Sequence, residues 1–372
     1  MRENRRKIIF AINDFTVGGA QHQLLRQFPH YDQNKFKIYL LLLMHDPVKS
    51  NLLKHIPSYI TVQKFDFKGF TDVSNWLKLF SYLMETKPDL VVSSLFFANT
   101  VVRLLKLILW FPVVSREHNT YVDKKRWQII ADYLLSLVTK KMVAVSEEVA
   151  DFASRQAHIP RSKFEVIENG IDLATIDQLR KSSDLQELRM RLGLEDKNLV
   201  FLHVGRLIEQ KNQTLLIEGF SEYAHNYIEA RLVIVGDGSM KIKLEELAEE
   251  LEVKDKIIFT GEQVIVNPYY QIANVFISTS RREGMSNTHL EAAANGLPII
   301  TTETGGTSSI IRPDYNGVLI LEETSRGVYA AMVRASELGI KFLSDNMWNG
   351  RERFDITNTV HSYEKLFTEC VR

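Results

Sequence analysis

Two cations in the second half of the chain stand where a sugar phosphate could be held. Arg206 and Lys211 follow a short apolar run at residues 199–204 and precede a helical pattern. A guanidinium can bind phosphate oxygens in pairs, and an ammonium supplies a compact positive charge. Solvated surface charges would have the same spacing. The loop is therefore a candidate diphosphate site, and the other motifs of the chain are needed to choose between the two interpretations.

Two glutamates follow further along the chain. Glu283 comes after a predicted strand, and Glu291 falls within a predicted helix at residues 287–294 that is otherwise rich in leucine and alanine. A carboxylate buried without a partner is costly, and the hydroxyl groups of a ribose or hexose would supply one. A glutamate near a helix start that stays in solvent, favoured by the helix dipole, is an equally good interpretation.

The first half of the chain contains two further candidates. Gly18 and Gly19 follow the first predicted strand and precede a helix, which lets a backbone approach a phosphate or sugar closely. A tight turn with no ligand fits them equally well. His118 ends a predicted strand at residues 113–117, where it is either a ligand-facing side chain or a hydrogen-bonded structural histidine.

Short apolar runs that alternate with helical patterns must position these residues. Strands are predicted at residues 7–12, 37–43, 60–65, 90–93, 113–117 and 142–145, and helices at 21–28, 74–85, 126–139 and 147–156. The pattern restarts near residue 172, with strands at 199–204, 230–235, 256–259, 275–277 and 298–301 and helices at 212–225, 241–251 and 287–294. Apolar strands separated by helices are typical of parallel sheets covered on both faces. We therefore predict an α/β fold with two doubly wound domains, whose ligands bind between the carboxyl ends of the two sheets.

The composition limits the class of protein. The chain has 372 residues, with 46 Lys and Arg against 46 Asp and Glu, so its charge balance gives no indication of nucleic-acid binding. The single Cys370 excludes an intrachain disulfide framework and favours a cytoplasmic location. No signal peptide and no apolar run of the roughly 20 residues that a membrane span needs is recognisable. Metal-site, hydrolase and nucleoside-triphosphatase motifs are also not recognisable.

Together these motifs resemble the retaining GT-B-fold glycosyltransferases of family 4, also called glycosyl transferases group 1, of the bacterial surface-polysaccharide type. The resemblance covers nearly the whole chain. Glu283 and Glu291 have the spacing of the family's signature, and Arg206 with Lys211 matches its basic element. Further matching segments are residues 18–20, 144–148, 167–172, 235–239, 259–261 and 283–298.

The resemblance implies a role for each candidate residue. Arg206 and Lys211 would bind the diphosphate of the donor, and Glu291 its ribose. The hydroxyl groups of the sugar would be held by Glu283 and by the backbone of Gly284, Met285, Ser286 and Asn287.

The remaining positions would complete the site. His118 would approach the transferred sugar, Gly18 and Gly19 would lie near the phosphates, and residues 260–264 near the base. The chain departs from the family pattern at residues 305–309, where a glutamate often ends the motif and this chain has Ser309, and at Gln21, where many members have glutamate.

As a family member, the chain is expected to have an acceptor-side domain at residues 1–171, a donor-side domain at 172–343 and a C-terminal segment at 344–372 that crosses back to the first domain. Trp348, Phe354, Tyr363 and Phe367 are the apolar residues expected to dock there.

The expected reaction is transfer of a hexose from a nucleoside-diphosphate sugar with retention of anomeric configuration. It would need no metal or other cofactor, and a UDP-sugar is favoured over a GDP-sugar. The alternatives are a nucleotide-sugar epimerase of similar fold and a non-catalytic nucleotide-sugar binding protein.

The expected acceptor is a glycan or a lipid-linked glycan of polysaccharide or lipopolysaccharide biosynthesis, at the inner face of the plasma membrane. Residues 101–112 combine apolar and aromatic side chains with Arg103 and Lys106, and Lys124, Lys125 and Arg126 add positive charge. That combination is typical of a peripheral membrane contact. An ordinary core helix at residues 98–111 is the alternative.

Overall fold

The structure, a computed structural model, describes residues 5–16, 18–46, 50–182 and 184–371. They form two α/β units. The first comprises Met1–Gly170 and Ile356–Arg372, and the second comprises Ile171–Asp355. Each unit has its own sheet and its own core.

The first unit is built on a parallel sheet that has seven strands among the described residues, in the order β3-β2-β1-β4-β5-β6-β7. The strands are β1 (Arg6–Ile12), β2 (Phe36–Leu42), β3 (Thr61–Lys64), β4 (Leu90–Ser94), β5 (Val113–Glu117), β6 (Lys141–Ala144) and β7 (Phe164–Val166). Its helices up to residue 157 are α1 (Gly19–Gln27), α2 (Val73–Thr86), α3 (Phe96–Lys106), α4 (Arg126–Ser136) and α5 (Glu147–Ala157).

Alternate residues of the central strand β1 serve two cores. Ile8 and Phe10 lie in one apolar cluster with Leu24 of α1. Ile9 and Ala11 lie in another, on the opposite face, with side chains of α2 and α3. A strand covered on both faces has no polar side, which explains why residues 8–12 of β1 are continuously apolar in the sequence.

The second unit has a parallel sheet that contains six strands in the described part of the chain, in the order β10-β9-β8-β11-β12-β13. The strands are β8 (Leu199–Val204), β9 (Ala230–Val235), β10 (Ile257–Gly261), β11 (Val275–Ser278), β12 (Ile299–Thr302) and β13 (Gly317–Ile320). The helices are α6 (Leu173–Ser182), α7 (Leu185–Arg191), α8 (Gln213–Asn226), α9 (Lys241–Glu250), α10 (Asn267–Ile272), α11 (Asn287–Ala294), α12 (Thr307–Ile310), α13 (Ser325–Leu338) and α14 (Ile340–Gly350).

Both sheets reverse their strand order once. The reversal lies between β1 and β4 in the first unit and between β8 and β11 in the second. Loops that leave the carboxyl ends of two such strands diverge, and ligands of doubly wound folds bind in the space between them. In the second unit these are the loops at 205–212 and 279–286, which carry Arg206, Lys211 and Glu283.

The last helix, α15 (Ile356–Val371), packs in the first unit. Its Phe367 lies 6.0 Å from Phe10 and 5.7 Å from Phe36, ring centroid to ring centroid. Tyr363 is also part of this core. Residues 344–355, with Trp348 and Phe354, instead belong to the second unit, so the return to the first unit begins at Ile356 rather than at residue 344.

The prediction of two parallel α/β domains is confirmed. In the described part of the chain, no helix is both long enough and apolar enough to cross a membrane.

Candidate functional site

The loop after β8 is held by close backbone contacts. Leu207 donates its N–H to the carbonyl of Asp237 at 2.9 Å. A Cβ placed on Gly236 would lie only 2.0 Å from the carbonyl oxygen of Gly205, and one on Gly238 would lie 2.4 Å from that of Leu207. Both glycines also have positive φ, so a side chain at either position would force the loop away from β9.

Arg206 and Lys211 occupy this loop in different environments. The Arg206 side chain is exposed, and among the described residues its guanidinium makes no ion pair. Lys211 ends a short 3-10 turn, Glu209–Lys211, and its ammonium contacts the carboxylate of Glu283. The two cations that were predicted together are therefore one solvent-facing group and one group already paired with a carboxylate.

Hydrogen bonds also join the loops after β8 and β11. The backbone N–H of Arg281 donates to Gln210 at 2.9 Å, and the Gln210 side chain donates to the carbonyl of Arg282 at 2.8 Å. The hydroxyl of Thr279 donates to the carbonyl of Asn212 at 2.8 Å. Because both loops are fixed to each other, Lys211 and Glu283 keep a defined relative position.

The Lys211–Glu283 pair is largely shielded from water, with 17% and 13% of the two side chains exposed. Two buried histidines, His203 and His289, lie near it. Burial lowers the pKa of each to about 4. Both imidazoles are therefore neutral at pH 7, and Lys211 is the cation that can attract an anion here.

The loop after β12 supports Glu283 through its backbone. A Cβ on Gly305 would lie 2.6 Å from the carbonyl oxygen of Glu283, and one on Gly306 would lie 2.9 Å from that of Gly284. This is the loop where the chain departs from the family pattern. Its glycines contact the 283–285 backbone, an interaction that the sequence did not reveal.

The residues after Glu283 lead into α11. Gly284, Met285 and Ser286 are buried, and α11 begins at Asn287, as predicted. A helix N-terminus directs backbone N–H groups and positive potential outward, which suits hydroxyl or phosphate oxygens. Glu291, in the second turn of α11, accepts a hydrogen bond from the hydroxyl of Tyr270 at 2.9 Å.

The first-unit candidates lie at the carboxyl edge of its sheet. Gly18 is the N-cap of α1, with extended backbone, and Gly19 is the first residue of that helix. A Cβ on Gly18 would lie 2.5 Å from the amide oxygen of Gln21, the end of a flexible side chain that could move away. His118 follows β5, two strands away from β1 at the same edge.

His118 is half-buried, and its Nε2 atom has no hydrogen-bond partner among the described residues. Burial, and secondarily the positive charge of Arg116, hold the pKa of His118 well below its usual range. The ring is therefore neutral at physiological pH. A neutral imidazole with an unpartnered nitrogen can exchange one hydrogen bond with a ligand hydroxyl.

A buried network of four charges lies behind His118. Arg103, fully buried, pairs with Asp132 at 2.6 Å, and Lys124 lies 2.8 Å from Asp132 and 3.5 Å from Glu117. This corrects the prediction that Arg103 and Lys124 are surface cations of a membrane contact. Both charges are neutralised inside the unit, where they tie α3 and α4 to the end of β5.

The described residues contain no group of three or more histidine, cysteine, aspartate or glutamate side chains arranged to hold a metal ion.

Known proteins with this architecture include the Anabaena protein HepE, whose structure was solved in complex with UDP-glucose. The two chains superpose with a TM-score of 0.83 at 20% identity, covering 98% of this chain and 99% of HepE. The two parallel sheets thus form a GT-B fold.

Family models match both units. The model for glycosyl transferases group 1 matches residues 184–339, and that for glycosyltransferase family 4 matches residues 17–175. An alpha-monoglucosyldiacylglycerol synthase of Acholeplasma laidlawii is 31% identical over 71% of this chain and 70% of its own length. The chain therefore belongs to the glycosyl transferases group 1.

A further relative aligns over nearly its whole length. It is the UDP-Gal:alpha-D-GlcNAc-diphosphoundecaprenol alpha-1,3-galactosyltransferase of Escherichia coli, which is 23% identical over 95% of both chains. Matches to several other curated relatives span only about two thirds of those proteins, 62% in one case and 67% in another.

Proposed function

We propose that the protein transfers a hexose from a nucleoside-diphosphate sugar to a glycan or lipid-linked acceptor, with retention of configuration. The observation that carries the proposal is the arrangement at the strand-order reversal of the second sheet. There the exposed cation Arg206, the Lys211–Glu283 pair and the start of α11 come from loops joined by hydrogen bonds.

Departure of a nucleoside diphosphate leaves negative charge on the bridging phosphate. Lys211, held by its contact with Glu283, is in place to stabilise that charge before the reaction begins, and Arg206 adds a second positive charge from the same loop. The N-terminus of α11 adds partial positive charge. These groups supply the electrophilic assistance that a metal gives in other transferases, so we propose that the reaction needs no metal and no other cofactor.

Glu283 and the backbone of Gly284 to Asn287 then hold the sugar hydroxyls, and Glu291 holds the ribose. For the first unit we propose, from the resemblance to the family, that Gly18, Gly19 and His118 bind substrate and that His118 contacts the transferred sugar. We propose a UDP-sugar as donor, which is supported by the UDP and UDP-glucose complexes of HepE.

The experiment is incubation with a panel of nucleotide sugars and candidate acceptors, followed by NMR assignment of the anomeric configuration of the product. Retention at unchanged rate in EDTA is expected. Inversion would contradict the stereochemical proposal, and complete loss of activity in EDTA would contradict metal independence. An epimerase would convert the donor without acceptor, and a binding protein would neither transfer nor hydrolyse it.

A surface of the first unit supports a membrane-associated acceptor. Leu107, Ile108 and Trp110, just after α3, are 61%, 66% and 98% exposed. Along α4 and at its C-cap, exposed apolar residues repeat at helical spacing, namely Trp127, Ile130, Leu134 and Leu137. Single exposed apolar residues are common, but a row of this extent marks an interaction surface.

The charges around this surface favour anionic lipid as the partner. Lys106 lies over the ring of Trp110 at 5.8 Å, and Lys125 and Arg126 are exposed at the start of α4. Between residues 90 and 141, all described, Asp123 is the one acidic side chain that is exposed. Positive charge beside aromatic and aliphatic residues is the composition of interfacial segments. We therefore propose peripheral contact with the inner face of the plasma membrane.

Co-sedimentation with vesicles of phosphatidylglycerol and phosphatidylcholine tests this contact. The double variant Ile130→Gln, Leu134→Gln should lose binding at low salt. The control variant Ile228→Gln, Ile242→Gln, at two positions of the second unit that are even more exposed, should bind like the wild type. Equal binding by both variants, or none by the wild type, would remove the membrane proposal and leave the transfer proposal intact.

A further inference from the structure

A buried histidine and a buried glutamine underlie the loop that carries Arg206 and Lys211. His203 is the penultimate residue of β8, and Gln213 is the first residue of α8. Each is 1% exposed. Polar side chains this deeply buried must satisfy their hydrogen bonds inside the protein, so their partners are informative.

The hydrogen bonds determine where the proton of His203 resides. Its Nδ1 lies 3.0 Å from the carbonyl oxygen of Ile277, which can only accept, so Nδ1 carries the hydrogen. The ring is neutral because burial lowers its pKa to about 4. Its Nε2 is therefore an acceptor, and the side-chain amide of Gln213 donates to it at 3.2 Å.

The second hydrogen of the same amide has a different partner. Gln213 Nε2 donates to the backbone carbonyl of Arg206 at 2.9 Å. Both hydrogens of the amide are thus taken by acceptors, and the reversed amide would place its oxygen against two lone pairs. His203 consequently fixes the orientation in which Gln213 can hold Arg206.

These bonds connect both loops of the candidate site. Ile277 lies in β11, the strand that leads to Glu283, and Arg206 lies in the loop after β8. The ring of His203 and the stem of Lys211 both lie close to Gly205. A Cβ on Gly205 would lie 3.4 Å from His203 Nε2 and 3.7 Å from Lys211 Cε.

We propose that His203 and Gln213 are positioning residues of the donor site. They set the backbone at Arg206 and thereby direct Arg206 and Lys211 toward the diphosphate. The proposal rests on the proposed function, because it requires that this loop bind a diphosphate. Ile208 N–H also donates to the Arg206 carbonyl at 3.0 Å, so loss of Gln213 should shift the loop rather than unfold it.

The test is a double-mutant cycle on nucleotide affinity. Dissociation constants of UDP and uridine are measured by calorimetry for the wild type, Gln213→Leu, Lys211→Ala and the double variant. The ratio of the two constants isolates the diphosphate contribution. We expect Gln213→Leu to lower this preference for UDP by about tenfold, the effect of one anchoring hydrogen bond.

Coupling to Lys211 distinguishes positioning from general structural damage. If Gln213 and Lys211 act on the same loop, their effects are not independent. The double variant should then lose less of its preference for UDP over uridine than the product of the two single losses, by a factor of at least about three. The matched control is Asn198→Leu. Asn198, 4% exposed, is also a buried amide bound to backbone, at 3.3 Å from Glu229, but it lies at the opposite end of β8. Its effect should be independent of Lys211.

Gln213→Glu is a second variant, because it keeps the shape of the side chain and removes both donated hydrogens. If thermal unfolding shows that Gln213→Leu is not folded, Gln213→Glu replaces it in the cycle. The positioning role would be overturned if the double variant lost UDP preference by the full product of the two single losses. It would also be overturned if a folded Gln213 variant kept the UDP preference of the wild type. A wild type that binds UDP no better than uridine would instead refute the diphosphate site itself.

Discussion

Replacing Lys211 by alanine removes the ammonium that contacts Glu283 and, in the proposed site, faces the departing diphosphate. The loop geometry should survive, because the contacts of Gln210 and Thr279 with the facing loop do not involve the lysine side chain. The change therefore tests charge rather than folding. Its effect should be greatest in the transition state, when the bridging phosphate is most negative.

The magnitude follows from distance and shielding. Two unit charges at about 4 Å interact by roughly 4 kcal/mol at an effective dielectric constant near 20. The pair is 17% and 13% exposed, so water screens part of this and about 3 kcal/mol is a reasonable expectation. That corresponds to a loss of roughly 10² in kcat/KM. Glu283 loses its partner as well, at a cost of about 1–3 kcal/mol in the free energy of unfolding.

The assay is steady-state release of UDP from the nucleotide sugar selected from the panel, with thermal unfolding measured in parallel. Lys254→Ala is the matched control, since Lys254 pairs with Glu249 at 2.8 Å in the same unit but both side chains are exposed. That variant should match the wild type. A folded Lys211→Ala protein that retains kcat/KM within a factor of two would refute the phosphate assignment.

Three other changes have definite expected outcomes. Glu291→Gln should raise the dissociation constant for UDP more than it lowers kcat, measured by calorimetry and steady-state rates; an effect on kcat alone would contradict ribose binding. Asp132→Asn leaves the fully buried Arg103 without its carboxylate and should lower the free energy of unfolding by about 3–5 kcal/mol in urea titrations. A change below about 1 kcal/mol would show that this ion pair does not stabilise the unit. His203 and His289 have folded pKa values of about 4 against an ordinary 6.5, so the unfolded chain binds more protons between these values. The free energy of unfolding should therefore fall as pH drops from about 6.5 to about 4, and these groups should not affect it above about pH 7.5. His289→Asn should make this decline less steep. An unchanged slope would contradict the lowered pKa of His289.

The sequence predicted most strands of both sheets, including the edge strands β3 and β10. β1, β4, β8 and β9 are apolar runs because helices cover both faces. Two outer strands, β7 and β13, were not predicted. They have three and four residues, and β13 begins with glycine, so neither carries a run long enough to distinguish from a loop.

The individual site residues were recognisable, but their contacts were not. Lys211 and Glu283 are 72 positions apart, and only the parallel pairing of β8 with β11 brings their loops together. Arg103 was predicted to belong to a membrane-contacting surface because it lies among apolar and aromatic residues. Its partner Asp132 is 29 positions away, so the local sequence did not reveal the ion pair. The periodicity of apolar residues in a local sequence predicts whether a segment is a helix or a strand. It does not predict which element packs against a charged residue and buries it.

The loop after β12 offers a direct test of how Glu283 is held. In family members this loop often ends in a glutamate, but here support comes from the close approach of Gly305 and Gly306 to the backbone of Glu283 and Gly284. Gly306 has φ +74°, and a Cβ there would lie 2.9 Å from both the Gly284 oxygen and the Met285 Cβ. Alanine at this position must therefore displace the segment that follows Glu283.

Gly339 separates this displacement from backbone strain. It also has a left-handed backbone, with φ +88°, but a Cβ there would meet only Phe342, at 3.9 Å. Both Gly306→Ala and Gly339→Ala should lower the free energy of unfolding by the left-handed penalty of about 1–2 kcal/mol. Only Gly306→Ala should also weaken UDP binding and lower kcat/KM, because only it moves Glu283 relative to Lys211. If the two variants lose equal stability and both retain wild-type nucleotide affinity, the backbone contact of this loop does not position the carboxylate.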